Sequence, residues 1–265
     1  MIYKHPLMHN NFSKSDFSDV KKLLNQTNPI LTQSKKVEEF EKKWSKWLGV
    51  KYSTFVSSGS SANYISISLL KVLNKNKYKN EIIVPTLTWI SDISSVLLNG
   101  FKPIFVDINL ENLSMDIDQV LKKINKRTLG IFITHAQGFN GLNDKLLKAI
   151  NKHKLYLIED VCESHGATYK NKKLGTFGLM SNFSFYYAHH MTTIEGGMIS
   201  TNNKEIYELS KIFRSHGMAR ESKNQSYENK LIKKFKNLSP QFIFLYPTLN
   251  FRNNEIGACI GINQL

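Results

Sequence analysis

Residues 52–61 read YSTFVSSGSS, and this stretch decides the fold. Tyr52 to Val56 predicts a short strand, and the turn after it leads into a helix expected from about Ala62 to Leu73. A strand that passes through a glycine-containing turn into a helix is the first half of a βαβ unit. The stretch therefore favours an α/β fold.

The same alternation continues along the chain, which predicts a mostly parallel central sheet flanked by helices. After Asp160, short strands punctuated by glycine predict an antiparallel or mixed continuation. The charged residues 221–237 predict a mobile loop. Strands are predicted at 81–84, 103–106, 129–134, 155–158, 182–187 and 196–200, and helices at 15–24, 33–48, 89–98, 116–123, 143–152, 205–215 and 254–265.

Composition limits the classes of function. The chain has 265 residues, of which 41% are hydrophobic, and a formal net charge of +15. The lysine excess favours a solvated surface over a nucleic-acid site, because the basic clusters lack interleaved aromatic residues. A phosphate-bearing small substrate is also compatible with the positive charge. Two distant cysteines, Cys162 and Cys259, predict no metal centre. No apolar run is long enough to span a membrane, so a soluble cytoplasmic protein is expected.

Ligands of such sheets bind beyond the carboxyl ends of the strands. In the turn at residues 57–61, Gly59 lets the backbone approach an anion, and the helix N-terminus supplies N–H groups for one phosphate. An ordinary serine N-cap is the alternative, and this motif alone favours it. Asp160, at the end of an apolar strand, can pair with a cationic ring nitrogen or simply cap a loop.

Residues 182–198 read NFSFYYAHHMTTIEGGM. The FSFY, TT and EGGM groups resemble the active-site segment of the DegT/DnrJ/EryC1/StrS family of pyridoxal-phosphate-dependent nucleotide-sugar aminotransferases. The resemblance runs from about residue 30 to residue 265 and implies the large domain of the fold type I transferases. Further similar segments are SSGSS at 57–61, PTLTW at 85–89, EDVCESHGA at 159–167, GTFG at 175–178 and NFR at 250–252 followed by 255–264.

Two departures from the family pattern are important. His189 stands where the family has its Schiff-base lysine, and Ile194 stands where it has glycine. Imidazole can move a proton, with an ordinary pKa of about 6.5. One histidine-bearing branch is an iron–sulfur dehydrase of CDP-sugars, which needs a cysteine cluster that this sequence lacks. The other removes the C3 hydroxyl group of a GDP-linked 4-keto-6-deoxy sugar, and residues 185–198 and 214–218 are similar to it.

The resemblance implies a lyase with non-covalent pyridoxal or pyridoxamine phosphate, L-glutamate as amino donor and a nucleotide-sugar substrate, which is GDP-linked in this branch. It also implies a homodimer with a shared active site, acting in deoxysugar synthesis for lipopolysaccharide O-antigen. His189 would be catalytic and His190 structural. The other implied roles are phosphate binding by Gly59, Ser60, Ser184 and Asn250 (the last toward the neighbouring subunit), ring contacts by Trp89, Asp160 and Glu163, and sugar-nucleotide binding by His216 and Arg220.

Two alternatives stay open. An aminotransferase would need a lysine at the position of His189, and none lies between Lys173 and Lys204. A non-catalytic paralogue would have kept the fold and lost the lysine. The expected organisation is an N-terminal arm at 1–30, a large cofactor-binding domain at 31–237, and the start of a C-terminal region at 238–265, with the family's small C-terminal domain largely missing.

Overall fold

The computed structural model describes residue 6, residues 8–222 and residues 224–265, without the side chains of residues 225–228. The helices are α1 (Lys14–Leu24), α2 (Lys35–Leu48), α3 (Gly59–Leu73), α4 (Ile90–Leu98), α5 (Ile117–Lys123), α6 (Asp144–His153), α7 (Lys204–Arg214), α8 (Gln225–Lys234) and α9 (Glu255–Gln264). The strands are β1 (Tyr52–Val56), β2 (Glu81–Pro85), β3 (Lys102–Val106), β4 (Thr128–Thr134), β5 (Tyr156–Asp160), β6 (Thr168–Tyr169), β7 (Lys172–Lys173), β8 (Met180–Ser184) and β9 (Gly197–Thr201).

The main sheet is mostly parallel, as predicted. Its strand order is β1-β9-β8-β5-β4-β2-β3, and the pairs β2–β3, β2–β4, β4–β5 and β5–β8 are parallel. Strand β9 runs antiparallel to both β8 and β1, which is the mixed continuation expected after Asp160. Thr134, Asp160 and Asn182 lie side by side in neighbouring strands, so the carboxyl ends of β4, β5 and β8 meet at one edge.

Alternate residues of the strands face two separate hydrophobic layers, as the two-residue period of a strand requires. On one face, Ile83 and Leu157 belong to the cluster that contains Phe40 and Trp44 of α2. On the other face, Ile82, Val84 and Ile158 belong to the cluster that contains residues of α3. Both faces of the sheet are covered by helices, so a ligand can approach the sheet only at the ends of its strands.

Strand β8 ends at Ser184 where the prediction extended to residue 187, and two further differences concern helices. Helix α3 begins at Gly59 instead of Ala62, because the side chains of Ser58 and Ser61 cap its first turn reciprocally. Residues 225–234 form α8 where a mobile loop was predicted. Leu231 of this helix is buried against Ala219 and Ile243, so one apolar contact holds a segment whose charged sequence alone favoured a loop. Among the described residues, no helix is long and apolar enough to cross a membrane.

Ile194 adopts a backbone conformation that β-branched residues rarely adopt, with φ of 73°. Its side chain is 52% exposed, so little burial offsets the strain. We expect Ile194→Gly to raise the free energy of unfolding by about 1 kcal/mol, the left-handed penalty less the extra chain entropy of glycine. Chemical denaturation measures the difference. Ile30→Gly is the control, since Ile30 is 63% exposed and has no positive φ, and equal destabilisation in both variants would contradict the prediction.

Candidate active site

The predicted phosphate turn and the end of β8 lie in direct contact. A Cβ atom added to Gly59 would lie 2.6 Å from Ser184 Cβ and 3.1 Å from Cys162 Sγ. Ser58 Oγ accepts a hydrogen bond from the Ser61 backbone N–H at 3.0 Å, whereas Ser60 is exposed. The structure therefore brings Gly59, Ser60 and Ser184 together at the N-terminus of α3, where backbone N–H groups favour an anion.

The Asp160 carboxylate lies at the floor of this site and is 3% exposed. Its Oδ1 accepts from the Cys162 backbone N–H at 2.9 Å, and its Oδ2 accepts from Asn63 Nδ2 at 3.0 Å. Both donors are neutral amides. A buried carboxylate that is held only by neutral donors is costly, and a cationic ligand group above it would remove that cost.

A second buried carboxylate, Asp92, lies beside Asp160, and the sequence interpretation missed it. Asn63 Nδ2 donates to Asp92 Oδ1 at 2.6 Å, and Asp92 is fully buried. Burial raises the pKa of Asp92 well above its ordinary value, and the neighbouring Asp160 raises it further. An aspartate in the first turn of a predicted helix is ordinarily a solvated partner of the helix dipole, so Asp92 could not be recognised as a site residue from its position in the sequence.

His189 lies in the turn that follows β8. Its backbone N–H donates to the Tyr186 carbonyl at 3.0 Å, and its side chain is half-buried. Burial lowers the pKa of His189 below 6.5, while the nearby carboxylates of Glu163 and Asp160 act in the opposite direction. The imidazole is therefore neutral at pH 7 and can accept a proton within reach of these two acids.

The other histidines near the site differ in their surroundings. The ring of His165 lies 6.3 Å from that of His189 and 5.4 Å from that of His190, measured between centroids. Burial lowers the pKa of His165 to about 3, so this ring stays uncharged. His190 is exposed. His135 is buried, with its Nε2 3.3 Å from a Glu159 carboxylate oxygen that also accepts from the Gly175 backbone.

Two predicted ring contacts lie at the rim of the site. Trp89, directly before α4, leaves 69% of its surface exposed. Glu163 Oε2 accepts from the Gln137 backbone N–H at 2.9 Å, which holds this carboxylate beside the end of β4. Trp89 follows β2 and Glu163 follows β5, so both residues lie beyond the carboxyl ends of parallel strands, at the same edge of the sheet as Asp160.

His216, Arg220 and Asn250 form a separate group between α7 and α9. The His216 backbone N–H donates to the Leu249 carbonyl at 3.0 Å, and Arg220 Nη1 donates to the Gln241 carbonyl at 3.2 Å. The described hydrogen bonds of these three residues stay within residues 215–252. Within this chain they do not join Asp160 or His189, although the Phe251 carbonyl beside Asn250 accepts from the Ser57 backbone at 2.9 Å.

Two further features lie outside this constellation. A cavity of about 770 Å³ between α2, β1 and α7 is lined by residues such as Glu41, Tyr207 and Arg214, and by none of the predicted site residues. Among the described residues, no group of three histidine, cysteine or acidic side chains is placed to hold a metal ion.

Comparisons with known proteins show the family and the fold. The model of the DegT/DnrJ/EryC1/StrS aminotransferase family matches residues 11–265. A GDP-4-keto-6-deoxy-D-mannose 3-dehydratase from Escherichia coli O55:H7 is 34% identical, over 100% of this chain and 68% of the relative. A structure of an E. coli enzyme of the same name with bound hydrated PLP superposes with a TM-score of 0.89 at 32% identity, covering 100% of this chain and 68% of the other.

A second kind of relative has a different activity. Helicobacter pylori PseC, an aminotransferase involved in the biosynthesis of pseudoaminic acid, superposes with a TM-score of 0.84 at 30% identity, covering 99% of this chain and 65% of that one. The chain spans about two thirds of the length of these similar proteins.

Proposed function

The chain belongs to the DegT/DnrJ/EryC1/StrS aminotransferase family, and from this premise we propose that it removes the C3 hydroxyl group of a nucleotide-linked 4-keto-6-deoxy sugar. The family and the fold type I architecture predicted from the sequence are confirmed. The proposed reaction is that of a GDP-4-keto-6-deoxymannose 3-dehydratase. The observation that carries the proposal is the histidine at position 189, in the turn directly after β8, where the family has its cofactor-binding lysine.

The residues at the strand ends fit pyridoxal phosphate. The Gly59 backbone and the Ser60 and Ser184 hydroxyls suit its phosphate, the exposed Trp89 suits stacking on its ring, and Asp160 supplies the buried negative charge that a protonated ring nitrogen requires. When bound, the cofactor supplies an aromatic ring that accepts the electrons released at the reacting carbon. Asp160 keeps the proton on the ring nitrogen.

His189 would be the base of the reaction. Its neutral imidazole would accept a proton from the reacting carbon and, once charged, would give a proton to the departing C3 hydroxyl oxygen. An imidazole cannot hold the cofactor as the lysine amine does, so the cofactor binds non-covalently. Glu163, whose Oε2 accepts from the Gln137 backbone, contributes to the charge around His189 and would lie near the ring hydroxyl.

The overall reaction balances with glutamate as the second substrate. The sugar loses its C3 oxygen and is reduced by two electrons at that carbon. Glutamate is oxidised to 2-oxoglutarate, its nitrogen leaves as ammonia, and the water formed in one half is used in the other. One 2-oxoglutarate and one ammonia are therefore formed for each deoxysugar.

We also propose a homodimer with a shared active site. Ile90, Leu97 and Leu98 of α4 are 66%, 56% and 73% exposed, which suits contact with a second copy. Asn250 is exposed and would reach the phosphate in the partner subunit, while His216 and Arg220 would bind the GDP part of the substrate. In this proposal, residues 31–237 form the cofactor-binding domain and residues 238–265 begin the C-terminal region.

An aminotransferase is the second candidate, and the similarity to PseC favours it. It would need an amine at position 189, which the chain does not supply. A non-catalytic paralogue is disfavoured because the close approach of Gly59 to Ser184 and the burial of Asp160 would have no purpose without a ligand.

Borohydride reduction tests the non-covalent cofactor. The chain is mixed with pyridoxal phosphate and reduced, and its intact mass is measured. We expect only scattered, substoichiometric label on exposed lysines such as Lys22 and Lys145, because the proposed site has no lysine to be labelled. Stoichiometric label on one residue of the site would contradict the proposal. As a control, a lysine-containing peptide is treated with pyridoxal phosphate and borohydride in the same way and must become labelled.

Gly59→Ala should weaken cofactor binding at least tenfold. The added Cβ would lie 2.6 Å from Ser184 Cβ, closer than real contacts allow, so the phosphate turn must move. Pyridoxal phosphate affinity is measured by fluorescence titration. Gly100→Ala is the control, because its Cβ would meet open space and its strained φ of 79° should cost stability without changing affinity. Equal affinities for the wild type and Gly59→Ala would place the phosphate elsewhere.

A further inference from the structure

One oxygen atom of Asp92 and the hydroxyl oxygens of Thr88 and Thr134 form a triangle of mutual contacts. Thr88 Oγ1 lies 2.6 Å and Thr134 Oγ1 lies 2.7 Å from Asp92 Oδ2, and the two threonine oxygens lie 2.7 Å from each other. All three distances are those of good O–H···O hydrogen bonds. Three such contacts need three hydrogen atoms, and the two hydroxyl groups supply two.

The third hydrogen atom can come from Asp92 itself. A proton on Asp92 Oδ2 gives each oxygen of the triangle one donor and one acceptor contact, which satisfies all three groups. An ionised Asp92 leaves one 2.7 Å contact between the two threonine oxygens without a hydrogen atom. Asp92 is fully buried and Thr134 is 8% exposed, so such an unsatisfied contact is costly there.

The outer side of Asp92 is tied to Asp160 through one amide. Asn63 Nδ2 lies 2.6 Å from Asp92 Oδ1 and 3.0 Å from Asp160 Oδ2. The amide has two hydrogen atoms, which the two carboxyl groups share with Ser91 Oγ at 3.0 Å, and Asn63 is 1% exposed. Two ionised carboxylates around one buried neutral amide would repel each other, so the pair is stable when one of them holds a proton.

We propose that Asp92 is a positioning residue that remains a neutral carboxylic acid at pH 7 and, through Asn63, orients Asp160 as the charged member of the pair. The site then presents a single negative charge to a single ring cation. The role toward the ring rests on the proposed cofactor site, whereas the protonation state of Asp92 does not. Asn63, Thr88 and Thr134 are part of the same device.

The pH dependence of stability has a definite sign. Burial, and then Asp160, raise the pKa of Asp92 above its unfolded value of 3.8. At pH values between the pKa of Asp92 in the unfolded chain and its higher pKa in the folded chain, the folded state binds more protons. The free energy of unfolding therefore falls as pH rises from 3.8 through the folded pKa. The titratable groups that face Asp92 are Asp160 and the Cys162 thiol. Burial raises the pKa of this thiol, and the neighbouring Asp160 raises it further.

Infrared spectroscopy of the chain without cofactor tests the protonation state. We expect the C=O stretch of a protonated carboxylic acid at pH 7 in the wild type and its loss in Asp92→Asn. Asp118→Asn, which changes an exposed carboxylate, should keep the band. Absence of the band from the wild type, or its persistence in Asp92→Asn, would overturn the proposal whether or not the chain binds pyridoxal phosphate.

Stability and affinity test the positioning role. Asparagine has the shape of a neutral aspartic acid, so Asp92→Asn should remove the stability loss between pH 4 and neutrality and keep pyridoxal phosphate affinity within about twofold. Asp92→Leu removes the acceptor that lies 2.6 Å from Asn63 Nδ2 and should weaken affinity about tenfold. Circular dichroism establishes that each variant is folded. Wild-type affinity in Asp92→Leu, or an affinity in Asp92→Asn as weak as in Asp92→Leu, would refute the role. Failure of the wild type to bind pyridoxal phosphate would instead refute the proposed function.

Discussion

His189→Asn will lower kcat for loss of the C3 hydroxyl group by about 10²- to 10⁴-fold, the usual contribution of a general acid–base residue. Asparagine keeps a polar side chain of similar reach but cannot take a proton at pH 7. Burial keeps the His189 imidazole neutral in the wild type, so the variant removes the proton acceptor without changing the charge of the site. The measurement is the steady-state rate of 2-oxoglutarate release with glutamate and the sugar substrate.

Two companion variants make this result specific. His190→Asn changes the exposed neighbouring histidine and should leave kcat within a few-fold of the wild type. His189→Lys should attach pyridoxal phosphate covalently, which intact mass after borohydride reduction would detect, and should lose dehydration. A His189→Asn rate within tenfold of the wild type would place the base on another residue.

Arg214→Ala will reduce the free energy of unfolding by about 3–5 kcal/mol, as expected when one partner of a buried ion pair is removed. Arg214 Nη1 lies 2.5 Å from Glu41 Oε1, and these side chains are 4% and 8% exposed. The same two groups hold β1, since Arg214 donates to the Phe55 carbonyl at 3.0 Å and Glu41 accepts from the Phe55 N–H at 2.8 Å. Removing the arginine leaves the glutamate charge buried.

Urea denaturation at pH 7 measures this effect. Glu41→Gln in the Arg214→Ala background should recover part of the loss, because the unpaired charge is then gone. Lys145→Ala breaks an exposed pair with Asp118 and should have no measurable effect. A loss for Arg214→Ala as small as that for Lys145→Ala would show that water reaches the pair from the adjoining cavity.

The strand–helix alternation could be predicted from the sequence because each element has a strong local signal. Strand β1 has the predicted bounds, and β5 ends at Asp160, the strand end expected from the sequence. Local pattern failed where a tertiary contact decides the structure. Helix α8 depends on the contact of Leu231 with Ala219 and Ile243. These two residues lie outside the helix, one before it and one after it in the sequence.

The candidate site divides in the same way. Gly59, Asp160 and His189 stand in recognisable motifs, and the fold brings these motifs to one edge of the sheet. Asn63 and Asp92 have no motif, because a buried amide on α3 and an acid in the first turn of α4 look ordinary until both helices are packed against β4 and β5. Only the packing of four elements reveals that they form one hydrogen-bonded group with Asp160.

The mass of the sugar product tests the central claim most directly. The chain is incubated with pyridoxal phosphate, glutamate and GDP-4-keto-6-deoxymannose, and the nucleotide sugar is analysed by mass spectrometry. A histidine at position 189 predicts a product that has lost one oxygen atom and gained no nitrogen. A product that carries an amine in place of the C4 ketone oxygen, with its C3 hydroxyl group intact, would contradict the account.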